Sequence, residues 1–112
     1  MALSELVLER TTVGETTVVD LNTVVADVLS LLEHQLHLQR VVVRRAVSPA
    51  PVTIRGVEQK LQQVLLNLVL NARDAMPKGG WLSVSTRVED DHAVVEVADT
   101  GQGIPREHLG RI

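Results

Sequence analysis

Residues 63–76 read Gln63-Val64-Leu65-Leu66-Asn67-Leu68-Val69-Leu70-Asn71-Ala72-Arg73-Asp74-Ala75-Met76, and the whole chain can be organised around them. Apolar residues recur here at helical spacing, so a helix is predicted from about Val57 to Met76, where Pro77-Lys78-Gly79-Gly80 stops it with a proline and two glycines. On a helical wheel Gln63, Asn67, Asn71 and Asp74 fall in one arc, with Leu61, Val64, Leu68, Ala72 and Ala75 on the packing side. Leu66 and Leu70 flank the polar arc, so it reads as sunken, like the wall of a pocket. A buried polar group without a partner costs about 1–3 kcal/mol, so such amides are either satisfied by neighbouring strands or meet a ligand.

Working outward toward the C-terminus, Leu82, Val84, Thr86 and Val88 alternate with Ser83, Ser85 and Arg87, Asp90-Asp91 makes a turn, and Ala93 to Ala98 runs back. This pattern predicts a two-stranded hairpin. It leads into Asp99-Thr100-Gly101-Gln102-Gly103-Ile104, a carboxylate followed by two glycines that let a ligand approach the backbone closely. On the N-terminal side, Asp20 offers an N-cap to a helix over about 20–39, Val41 to Val47 reads as a strand, Pro49 and Pro51 break it, and Val52 to Ile54 resumes extended structure. Residues 1–17 read as the tail of a preceding helix, a turn at Gly14 and a short edge strand, a linker to a main unit over 18–112. The order helix, two strands, helix, two strands predicts an α/β (α+β) two-layer sandwich, a mixed sheet with helices on one face.

Bulk properties narrow the function classes. At 112 residues with 45% hydrophobic content and 22% charge the chain is one globular domain's worth, and without Phe or Tyr its core must be aliphatic. A net charge of -3 gives no basic field for nucleic acid. The absence of cysteine excludes disulfides and thiolate metal sites. No apolar run approaches the roughly 20 residues that cross a bilayer, so a soluble, cytoplasmic piece is expected, with any membrane anchor elsewhere in a longer protein.

The stretch Gln63 to Met76 resembles the N box of sensor histidine kinases, and Val97 to Pro105, VADTGQGIP, resembles their G1 box. Both motifs, in order, resemble the catalytic ATP-binding domain of two-component kinases, within the superfamily of gyrase, heat-shock chaperone and mismatch-repair ATPases. The likeness runs from about Val19 to Ile112. It implies that Asn71 holds Mg²⁺, a hard cation that takes one or two protein oxygens plus substrate phosphates. It places Asn67 beside the same phosphates as the catalytic position and lets Asp99 accept a hydrogen bond from the adenine amine. Gly101 and Gly103 bend into a lid, and Ile104 packs near the base. Asp74 stands where many of these kinases carry a lysine, as in the nitrogen-regulator-like branch, leaving Arg73 or Lys78 as candidate local cations. Gyrase-like relatives have a glutamate at the position of Asn67; an amide cannot activate water, so phosphoryl transfer is implied over hydrolysis.

The resemblance therefore implies a protein histidine kinase that uses Mg·ATP. Its partners would be a histidine on a separate dimerisation domain of the same protein and, through the phosphorelay, a response regulator. With the chain ending before the lid and second glycine box of the family, the isolated fragment is expected to be inactive. The alternatives are a non-catalytic nucleotide-sensing or protein-interaction module and a serine kinase of the anti-sigma type. Neither His34-Gln35 nor His37-Leu38 matches the family's phosphoacceptor pattern, and all four histidines, His92 and His108 included, read as solvated or partly packed. An apolar sheet face left uncovered predicts self-association.

Overall fold

A computed structural model describes residues 2–9 and 17–101. Their elements are β1 (Ala2–Glu9), β2 (Thr17–Asp20), α1 (Leu21–Leu38), β3 (Val41–Ala46), β4 (Thr53–Gly56), α2 (Glu58–Asp74), β5 (Gly80–Glu89) and β6 (His92–Asp99). Four strands form a mixed sheet in the order β1-β6-β5-β3, while β2 and β4 form a separate antiparallel pair. Both helices lie on one face of the larger sheet, as the element order requires.

Helix α1 begins where its sequence offers a cap. Asp20 Oδ1 accepts from the backbone N–H of Asn22 at 3.0 Å and from that of Val52 at 3.2 Å, so one carboxylate starts the helix and ties it to the strand pair. Leu21, Val24, Val25, Val28, Leu29, Leu32 and Leu36 make its buried stripe. Helix α2 has no side-chain N-cap and turns Leu65, Val69 and Ala72 into the core. Val64, assigned to the packing side from the wheel, is instead 41% exposed, because the packed stripe is centred on Leu65 and Val69, rotated away from it. At the far end the Gln39 amide donates to the carbonyls of Arg73 at 2.7 Å and Met76 at 2.9 Å, a second donor for each beside the N–H groups of Met76 and Gly79, and so ties α1 to the end of α2.

Strands β5 and β6 form the expected hairpin across Asp90 and Asp91, and β3 lies parallel to β5. Residues 2–9 differ from expectation: they form strand β1, antiparallel to β6 from Ala2 opposite Asp99 to Glu9 opposite His92, and not the tail of a helix. Leu6 and Leu8 pack against the core while Leu3 and Val7 face out, the two-residue alternation of a strand. On the outer face Arg87 reaches Glu89 at 2.6 Å, Glu96 at 2.7 Å and Glu5 at 3.6 Å, so one guanidinium spans β5, β6 and β1. Those carboxylates, Glu89 foremost, hold its pKa above the ordinary arginine value. The turn expected at Gly14 lies outside the described residues. Among those described, no helix is long and apolar enough to cross a membrane.

Candidate functional site

Alternation along β6 sends Ala93, Val95, Val97 and Asp99 to the helix-covered face, which carries a carboxylate into an aliphatic layer. Asp99 is only 4% exposed. Its Oδ1 accepts from the backbone N–H of Gly101 at 2.7 Å, folding the chain back on itself. A Cβ on Gly101 would stand 2.7 Å from both the Cβ and the carbonyl oxygen of Ala75, so only glycine fits where this turn meets the end of α2.

Thr100 fixes the same turn from the other side. Its N–H donates to the Trp81 carbonyl at 3.2 Å, its hydroxyl accepts from the Trp81 N–H at 3.0 Å, and that hydroxyl donates to Met76 Sδ at 3.7 Å. Gly80 has no Cβ because one would collide with the Thr100 hydroxyl. The glycine turn is thus held to both the start of β5 and the end of α2.

Ala75, assigned to the packing side from the wheel, instead lies four residues beyond Asn71 and so on its face of the helix, which puts Gly101 one helical turn from Asn71. The structure in this way brings Asp99 and Gly101 to the C-terminal part of the amide stripe. Gln63 donates to Asn67 Oδ1 at 3.2 Å, and the Asn71 side chain has no partner among the described residues. The stripe is not sunken: Gln63, Asn67, Asn71 and Asp74 are all exposed. Leu66 and Leu70 are half-buried against the core and do not rise beside the amides as pocket walls. Gly103 and Ile104, together with Gln102, lie outside the described residues.

The nearby cations are placed less simply. Arg73 binds Asp74 at 3.1 Å and donates to Gln35 Oε1 at 2.9 Å, so it braces α2 against α1. Lys78 lines a hollow with Leu38, Gln39 and Arg40 on the α1 side. Three contributors have no site role that the sequence alone assigns: Thr100, whose signal is its place inside the glycine motif, and Gln39 and Ala75, which carry no such signal outside the folded chain. His34 and His37 lie exposed on α1 beside Glu33, and no metal-binding group of three His, Asp or Glu residues occurs among the described residues.

Comparison with known proteins bears directly on this arrangement. Residues 56–112, which carry α2, the hairpin and the glycine turn, match the family model described as histidine kinase-, DNA gyrase B-, and HSP90-like ATPase. The chain belongs to this family. Sporulation kinase C of Bacillus subtilis (strain 168) is 37% identical over 93 residues, covering 82% of this chain and 22% of the relative. The catalytic domain of the histidine kinase ThkA, solved without nucleotide, superposes with a TM-score of 0.80 at 24% identity, covering 88% of this chain and 67% of that one. Full-length ShkA in complex with AMPPNP superposes with a TM-score of 0.76 at 30% identity, covering 90% of this chain and 22% of that one. The chain is a histidine-kinase-type ATPase domain with the two-layer α/β fold read from its sequence, and it spans about a fifth of the length of that sporulation kinase.

Proposed function

We propose that this chain is the Mg·ATP-binding catalytic part of a two-component sensor histidine kinase, the unit over 18–112 forming the N-terminal portion of its ATP-binding domain. It would serve transfer of the γ-phosphoryl group to a histidine on a separate dimerisation domain of the same protein, and from there to a response regulator. The observation that carries the proposal is the contact between Gly101 and Ala75, which joins the buried Asp99 to the helix turn bearing Asn71.

The residues fit the ligand. Among the described residues Asp99 uses only Oδ1, leaving a buried carboxylate oxygen able to accept a hydrogen bond from an exocyclic amine. The amide oxygen of Asn71, without a partner among the described residues, suits a hard cation that keeps most of its waters. ATP with its metal ion brings the transferable phosphoryl group and most of the charge neutralisation. Asn67, held by Gln63, orients the phosphates and cannot act as a base toward water; Gly101 keeps the backbone low beneath the base. Asp74 borders the metal side, and its pairing with Arg73 limits its charge there.

The test is phosphorylation of the complete protein with radiolabelled ATP. Acid-labile, base-stable label on histidine, lost in Asn71→Ala, is expected; label on serine would favour the anti-sigma type of kinase, and absence of label together with absence of saturable Mg·ATP binding would overturn the proposal.

A further inference from the structure

From His34 to Val57 the sequence holds no Asp or Glu at all, yet Arg40, Arg44, Arg45 and Arg55 fall within it, in a chain whose net charge is -3. Three of those arginines belong to one place in the fold. Arg40 immediately precedes β3, and Arg44 and Arg45 are exposed on it. Strand β3 pairs with β5 alone among the described residues, so its other edge presents backbone N–H and C=O groups without a strand beside them.

The surroundings of that edge are apolar as well as cationic. Val42 is 62% exposed on the outer face, where it pairs with Trp81 of β5, and the Arg44 guanidinium lies over the Trp81 ring at 5.2 Å from its centroid. Just before β3, Leu38 is 69% exposed and with Arg40, Pro77 and Lys78 borders a hollow of about 530 Å³. Arginines on an edge can serve merely to repel other strands. Here, though, the cations are interleaved with exposed Leu38 and Val42 and half-buried Trp81, a combination that receives a strand carrying acidic and apolar side chains.

We infer that the β3 edge is a docking site for an acidic, extended protein segment that adds to the sheet as a further strand, its carboxylates meeting Arg40, Arg44, Arg45 and Lys78. Charge complementarity selects the sign of the partner, and the open backbone edge selects a peptide over an anionic lipid surface, which cannot complete a ladder. This inference is independent of the nucleotide reading, since none of these residues belongs to the amide stripe or the glycine turn.

The test uses the full 112-residue chain, in which Trp81 is the sole tryptophan and so reports on the patch directly. The probe is a ten-residue peptide of alternating glutamate and valine, followed by Trp81 emission. Saturable binding is expected, at least tenfold weaker for Arg44→Glu/Arg45→Glu, and at least tenfold weaker for a peptide N-methylated at every residue, which keeps the charge but has no N–H to donate to the ladder. Circular dichroism of the double variant checks that it is folded, and the N-methylated peptide tests the unaltered chain in any case. No binding at millimolar peptide, equal binding of the N-methylated peptide, or binding only to anionic phosphatidylserine vesicles would overturn the inference.

Discussion

Two polar side chains, Thr86 and Asp99, are buried among the described residues, each 4% exposed and each on the helix-covered face of the sheet, yet they are used in opposite ways. The Thr86 hydroxyl donates to Asn22 Oδ1 at 2.6 Å and accepts from the Ser48 N–H at 2.8 Å, while the Asn22 amide donates to the carbonyls of Ser48 and Ala50, both at 3.1 Å. That network is closed: it pins the start of α1, the turn after β3 and the middle of β5 to one another. Asp99 instead spends one carboxylate oxygen on its own turn and has no described partner for the other. Equal burial therefore marks stability at one end of the sheet and, under the proposed function, a place for a ligand at the other. What separates them is whether the chain itself supplies every hydrogen-bond partner.

Substitutions at the two positions should part company. Asp99→Ala removes a charged acceptor and is expected to weaken ATP binding by about 1.5–3 kcal/mol, roughly ten- to a hundredfold, with a loss of folding stability smaller than at Thr86 because only the Gly101 N–H loses its partner, as read by calorimetric titration beside thermal unfolding. A comparable loss of stability would place Asp99 with the structural network. Thr86→Val should do the reverse, lowering unfolding free energy by about 1–3 kcal/mol because Asn22 Oδ1 and the Ser48 N–H lose their partner in the interior, while nucleotide affinity in the folded state holds. Thr86→Ser, which keeps the hydroxyl and gives up the methyl, should cost less than Thr86→Val; an equal loss would show that packing of the methyl stabilises as much as the hydrogen bonds.

Gln39 sits between these extremes, since it stabilises the helix end on which the glycine turn rests. Gln39→Leu removes two hydrogen bonds and should lower stability by about 1–2 kcal/mol, and it should also speed amide exchange at Ala75 and Met76. Unchanged exchange there would show that the Gly101 contact holds α2 by itself. The smallest effect is expected at Arg87: its ion pairs lie on the open sheet face, so Arg87→Gln should leave the unfolding midpoint nearly unmoved at physiological salt, as denaturant titration can check.

Much of this was legible in the residues themselves. The periods of two and 3.6, Asp20 as a cap and Pro77 to Gly80 as a stop place both helices and the hairpin within a few residues. The two motifs name the family that residues 56–112 match. Residues 2–9 misled because Leu3, Leu6 and Val7 also suit a helical spacing; their strand form depends on the open edge of β6, a partner some 90 positions away in sequence. The orientation of the amide stripe was blurred for a related reason. In a helix this rich in Leu and Val, composition does not fix which aliphatic residues face the core, and the sheet's position turned Leu65 and Val69 inward and left Val64 outside. The closed network around Thr86 and the capping by Gln39 join residues 22, 39, 48, 73 and 86, and no spacing rule links those.

The claim beneath all of this is that Asp99 awaits an amine on a purine. Titrating the chain with Mg·ATP and, separately, with Mg·ITP, whose base carries an oxygen in place of that amine, tests it most directly. Binding of ATP at least tenfold tighter than ITP, with the preference erased in Asp99→Ala, is the predicted result, whereas equal affinity for the two nucleotides in the unaltered chain would contradict it.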